Sequence, residues 1–161
     1  MGPESLARAG DALADDPAAL RVARGVCRLF DRLGHVGLTE FVLRGGRRAD
    51  VLALGPGGEL SIVEIKSCLA DFRSDGKWPQ YLEFCERYYF AVPLGFPLEV
   101  LPEDQGLIVA DGYDAAILRE ADRRPIAAAR RKAVTLRFGQ VAARRLRLLL
   151  DPEGVGPGFA G

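Results

Sequence analysis

A chain of 161 residues, 48% of them hydrophobic, has the size of one ordinary domain and enough apolar surface to bury a core, which excludes a disordered segment. Its 22 basic and 22 acidic residues balance to zero net charge, and a single histidine, His35, excludes any site built on several histidines. Chemistry in this chain therefore falls to carboxylates and lysine.

Residues 1–15 show no periodicity and read as a flexible leader. Asp16-Pro17 then has the form of a helix start, with aspartate at the cap and proline at the first helical position. Leu20, Ala23, Val26, Cys27 and Phe30 recur at helical spacing, which predicts a helix over 17–33 ending near Gly34. Three strands follow, over 39–43, 48–54 and 59–66, the last two joined through Gly55-Pro56-Gly57-Gly58 as a hairpin. Residues 69–86 predict one or two helices broken at Asp75-Gly76, and 87–92 a buried strand ending at Pro93. Short strands over 107–110 and 115–118 and a helix over 127–149 complete a domain of residues 16–150, with 151–161 as a flexible tail. Hairpin-linked strands followed by a helical crossover predict an α/β fold, a mixed sheet flanked by helices.

No apolar run reaches the roughly 18–20 residues that span a bilayer, and the first residues lack the basic stretch and apolar core of a secretion signal. The expectation is a soluble cytoplasmic, nucleoid-associated protein with no membrane partner. Cys27, Cys68 and Cys85 lie too far apart for a zinc knuckle or disulfide framework, so reduced thiols are expected. Charge is uneven: from Asp50 to Asp122 there are 14 acidic and 5 basic residues, and from Arg123 to Arg147 there are 9 basic and no acidic ones. An acidic middle between basic flanks suits a polyanion held around a metal centre, and equally a solvated arginine-rich helix.

The stretch richest in chemistry is Arg47-Arg48-Ala49-Asp50-Val51 followed by Ile62-Val63-Glu64-Ile65-Lys66-Ser67. Charges inside apolar strand sequence are costly unless solvated, paired or bound to a metal. Glu64 and Lys66 stand two apart and share a face. If a five-residue connection pairs Leu54 with Leu60, Asp50 lies opposite Glu64 with Cβ atoms about 4.5–5.5 Å apart, whereas a one-residue slip turns it to the other face. Two carboxylates that close repel unless a hard cation joins them. Asp50, Glu64 and the backbone carbonyl of Ile65 are thus candidate ligands for Mg²⁺, with Mn²⁺ as a substitute, and Lys66 a candidate catalytic cation. The same triad also reads as a solvated or structural ion-pair network. Glu40 is a candidate third carboxylate or an exposed strand residue, and Ser67 a candidate phosphate contact or a strand end.

These motifs, together with Asp71-Phe72-Arg73-x-Asp75-x-Lys77-Trp78-Pro79-x-Tyr81, Tyr89-Phe90-Ala91-Val92, the run from Leu101 to Asp111 and Ala129-Arg130-Arg131-Lys132-Ala133, resemble the MmcB-like DNA-repair proteins, placed among the endonucleases of the PD-(D/E)XK superfamily. The resemblance covers about residues 20–148. It implies a restriction-endonuclease-like mixed sheet, metal binding by Asp50 and Glu64, a lysine role for Lys66, and a place in DNA repair or the DNA-damage response. Ala49-Asp50 stands where the superfamily has Pro-Asp, with the carboxylate kept. Several such nucleases carry a glutamine that orients the lysine or substrate, which makes Gln80 a candidate. Lys77, Trp78 and Tyr81 suit stacking on an unpaired base, although packing of Trp78 in the core beside Tyr81 is the commoner use of such rings. Arg47, Arg48, Arg130, Arg131 and Lys132 are candidate phosphate contacts. The implied partner is damaged, branched or single-stranded DNA, with other repair proteins and a homodimer also open. An inactive nuclease fold that binds DNA or recruits repair proteins is the competing expectation.

Overall fold

The connection between the two strands that carry the carboxylates sets the register of everything around it. The computed structural model describes residues 17–154, so the leader, Asp16 and residues 155–161 of the expected tail lie outside the described residues. Strand β2 (Arg48–Leu54) turns into β3 (Leu60–Ile65) through five residues, with the Gly55 amide donating to the Glu59 carbonyl at 2.8 Å. Gly58 takes φ +87, a left-handed conformation that glycine adopts without steric cost. Pairing follows as Leu54 with Leu60, Leu52 with Ile62 and Val51 with Val63, the five-residue alternative of the two registers open in the sequence, with β3 beginning one residue after the predicted 59.

Strand β1 (Val36–Val42) adds antiparallel to β2, and β4 (Arg87–Pro93) adds parallel to β3 after a crossover containing α2 (Leu69–Ser74) and a 3₁₀ helix, Trp78–Phe84. The residues expected as a second helix wind more tightly than an α-helix, with proline at the first turn. Strand β5 (Gly106–Ala110) is parallel to β4 and β6 (Ala115–Arg119) antiparallel to β5. The result is one mixed sheet in the order β1-β2-β3-β4-β5-β6, which is the expected α/β architecture. β1 begins three residues before the predicted 39, because Val36, Gly37 and Leu38 find partners in Leu54, Ala53 and Leu52.

Both faces of the sheet are covered. Helix α1 (Pro17–Arg32) buries Val22, Val26, Leu29 and Phe30 against Val51, Ala53, Val63, Ala91 and Ile108. Gly25 lets it come close: a Cβ there would lie 2.5 Å from the carbonyl oxygens of Asp111 and Asp114 in the β5–β6 turn. The opposite face presents Phe41, Leu52, Ile62, Phe90 and Val92 to the 3₁₀ helix and to Val134 and Phe138 of α3 (Ala128–Leu150). Every residue of β3 is buried, as expected of a central strand covered on both sides, so a charge on this strand is withdrawn from water. No described helix is long and apolar enough to cross a membrane.

Glu86, 1% exposed, fastens three distant pieces together. Its Oε2 accepts the Leu60 amide at 2.6 Å, its Oε1 pairs with Arg131 of α3, and its backbone carbonyl accepts the Arg124 amide at 2.8 Å. Glu86→Ala orphans the buried Leu60 amide and removes the anchor of Arg131, and a loss of about 2–4 kcal/mol is expected in urea unfolding. Glu86→Gln keeps an acceptor and should lose less; equal losses would show that the acceptor oxygen is not what matters.

Candidate active site

Three strands bring their carboxylates level with one another. Thr39 pairs with Val51 and Phe41 with Ala49, which sets Glu40 level with Asp50, and the β2–β3 register sets Asp50 level with Glu64. At this level side chains replace the backbone ladder. The Asp50 amide donates to Glu64 Oε1 at 3.3 Å, and the Ile65 amide donates to Asp50 Oδ2 at 2.7 Å. The two carboxylates therefore face each other at the end of the hairpin, as the register arithmetic required.

Their surroundings oppose ionisation. Burial pushes Asp50 up to about 6, against the Ile65 amide and Lys66, which favour its charge. Burial and the neighbouring Asp50 push Glu64 higher still. Lys66 follows β3, its amide donating to the Ala91 carbonyl at 2.9 Å, and is 5% exposed. Its ammonium lies 2.6 Å from Asp75 Oδ2. Burial would lower this lysine, but the hydrogen bond and charge of Asp75 outweigh it and hold Lys66 above its ordinary value. For the same reason Asp75 lies below the usual carboxylate range despite burial. Asp75 Oδ1 also accepts the Lys77 amide at 3.0 Å, so the loop after α2 is built around this carboxylate.

Asp75 is the residue that sequence reasoning missed. Gln80, expected to orient the lysine, is exposed and accepts instead from Arg47, so the residue holding Lys66 is Asp75. The available signal was an acid in the short polar break after a helix, within the motif that starts at Asp71. Asp71 also acts on Asp50 and Lys66 through its charge.

Glu40 does not complete a ligand set. Its side chain is 3% exposed with Arg48 Nε 2.6 Å from its Oε2, and Arg145 donates to its backbone carbonyl at 3.1 Å. It is also the one described residue other than glycine with a left-handed backbone, at φ +51, a conformation costing of order 1–3 kcal/mol. Among the described residues no three His, Cys, Asp or Glu side chains come together to hold a metal ion. Any cation here would rest on Asp50, Glu64, backbone oxygen such as that of Ile65, and water.

The remaining candidates fall into a rim and a scaffold. Arg48 pairs with Glu40 and Arg47 with Gln80, and the Tyr81 hydroxyl donates to the Arg48 carbonyl at 2.9 Å. Ser67 directly follows Lys66 and is half-buried, and the Lys77 side chain is exposed. The Trp78 ring packs on Tyr88 and Phe90, with centroids 5.6 and 5.3 Å away, so its described contacts are those of a core residue. Arg130 bonds Glu83 at 2.5 Å and sits over the Phe84 ring, and Arg131 is held by Glu86, while Lys132 is exposed. His35 stacks edge-on against Phe30, consistent with a structural residue. All three cysteines are free.

A six-stranded mixed sheet with helices on both faces and an Asp–Glu–Lys cluster at the end of its central hairpin defines an α/β domain consistent with a restriction-endonuclease-like core. The chain matches the model of the family described as DNA repair protein MmcB-like over residues 9–153, and it belongs to that family. A solved structure, the SPO1766 protein of unknown function from Silicibacter pomeroyi, is similar at 50% identity and TM-score 0.82 over 87% of this chain and 95% of that chain. No curated protein matches the chain.

The buried pair predicts an unusual pH response. Both folded-state pKa values lie above those of the unfolded chain, so the folded form binds more protons from about pH 4 upward. Stability of the metal-free protein should fall as pH rises through that window, and Asp50→Asn should raise its melting temperature at pH 8 by a few degrees. Mg²⁺ should offset the loss at pH 8 and not at pH 5. A flat calorimetric profile across this range would contradict the paired-carboxylate geometry.

Proposed function

We propose that this MmcB-like chain is a metal-dependent DNA endonuclease of the PD-(D/E)XK type, cutting damaged, branched or single-stranded DNA during repair. The observation that carries the reading is the meeting of Asp50 and Glu64 across neighbouring strands, Glu64 buried and Asp50 half-buried, both discouraged from ionising by their surroundings. Such a pair is expensive to keep unless a hard cation completes it. The donor set fits Mg²⁺ or Mn²⁺, held by Asp50, Glu64 and the Ile65 carbonyl with water filling the other positions. When bound, the ion supplies Lewis acidity and neutralises charge building on the phosphate.

The chain's own groups do the rest. Asp50 and Glu64 are themselves aligned by the amides of Ile65 and Asp50. Lys66, kept protonated by Asp75, offers a cation to a phosphate oxygen on which negative charge develops. Arg47 and Arg48 precede Asp50 in the chain, Ser67 follows Lys66 and Lys77 follows Asp75, and these groups suit the neutralisation of flanking phosphates; Lys132, exposed on α3, could meet a phosphate farther off. Glu40 holds the Arg48 guanidinium in place on the buried side.

One observation favours a second reading, a nuclease-fold module that binds DNA or recruits repair proteins without cutting: Lys66 already has a carboxylate partner in Asp75. The two readings part in one assay. Labelled branched, single-stranded and duplex DNA incubated with Mg²⁺ or Mn²⁺ should be cleaved. Asp50→Ala and Lys66→Ala should each lower the rate about 100-fold or more, with DNA affinity changed less than about threefold. Absence of cleavage under all these conditions, with binding insensitive to Asp50→Ala, would leave the binding module standing.

A further inference from the structure

Helix α3 is apolar on two opposite sides, and only one of them is used by the fold. The inner side carries Val134, Phe138 and Val141 into the core and sends Arg137 and Arg145 to the backbone carbonyls of Val42 and Glu40. The outer side carries Leu136, Gly139, Ala143, Leu146 and Leu150, at the alternating steps of three and four that place residues on one stripe of a helix meeting another helix. Leu136, Leu146 and Leu150 are 58%, 56% and 75% exposed, and Leu149 beside them is 65% exposed. A row of exposed leucines on one helix face is more than scattered surface hydrophobicity and marks an interaction surface.

Gly139 strengthens the case. A glycine inside a helix costs about 1 kcal/mol relative to alanine, yet a Cβ added here would meet nothing within 4 Å. The fold itself does not need it. With Ala143 one turn on, it leaves a notch between Leu136 and Leu146 of the shape that receives a large side chain from a second helix.

Charge selects the occupant. Helix α3 contains seven arginines and lysines and no acidic residue, and none occurs from Arg123 to Leu150. Packing α3 against its copy would set these cations against one another, which disfavours a second chain as the partner. The stripe is notched rather than convex, which suits a helix better than a lipid surface. We infer that the outer face of α3 docks an amphipathic helix of another protein whose flanking positions are acidic. The inference is independent of whether Asp50, Glu64 and Lys66 cut DNA.

The test uses the full chain and two fluorescent three-heptad peptides, both with leucine at the seam positions, one with glutamate and the other with lysine at the flanking positions. The glutamate peptide should bind, at least tenfold more tightly than the lysine peptide, and more weakly as salt is raised. Gly139→Leu, which fills the notch while improving helix propensity, should weaken binding tenfold or more without lowering the melting temperature. Leu146→Ser should do the same. Equal binding of both peptides, no binding of either, or binding unaffected by both substitutions would overturn the proposal. So would sedimentation showing a dimer that Leu146→Ser dissociates, or Leu146-dependent binding to phosphatidylglycerol vesicles with none to the glutamate peptide.

Discussion

Burying Asp50 and Glu64 against each other is the constraint on which the rest of this molecule turns. Glu64 is buried, Asp50 is half-buried and the two lie close together, so the fold holds at the end of its central hairpin a pair that repels on ionising. It does so with the backbone amides of Ile65 and Asp50, released as the strand ladder gives way to side chains, and with the charge of Lys66. The surrounding sheet, buried on both faces, supplies the rigidity that keeps the two carboxyl groups from swinging apart. Polar groups held in a dry interior interact strongly, and that is the condition under which a small cluster can do chemistry.

A second layer of ion pairs and hydrogen bonds engages most of the nearby cations. Asp75 holds Lys66, Glu40 holds Arg48, and Gln80 engages Arg47. On α3, Arg130 and Arg131 bind Glu83 and Glu86, and Arg137 and Arg145 cap carbonyls of the β1 segment. The zero net charge is therefore a matter of internal matching as well as composition. Much of the basic character of the last helix works as mortar between α3 and the sheet.

The parts of the fold legible in the sequence were those fixed by local chemistry. Gly55-Pro56-Gly57-Gly58 could be read as a turn because glycine and proline report turns directly, but whether the connection has four or five residues, and so whether Asp50 faces Glu64, was settled by Glu59 joining the turn and not the strand. The α1 stripe was legible because helical spacing is periodic. Asp75 was not, because its bond to Lys66 spans a helix and a loop whose path no pattern of apolar residues encodes. Glu40 could be read only as a third carboxylate or an exposed strand residue, because neither its left-handed backbone nor its ion pair with Arg48 is foreseen by strand propensity. The tight winding of Trp78–Phe84 was likewise set by packing, with Trp78 and Phe84 pressed against the sheet.

Gly25 carries a consequence that reaches well beyond its own helix. It admits α1 to within backbone contact of the β5–β6 turn, and α1 in turn rests on Val51 and Val63, the immediate neighbours of the two acids. Even a methyl group at this position would lever the helix outward, and the displacement would be transmitted through a close-packed layer to the far side of the sheet. A lesion some distance from the site would thus alter the spacing of its acids without touching them. Such a change would surface first as a temperature-dependent defect rather than as outright loss of the protein.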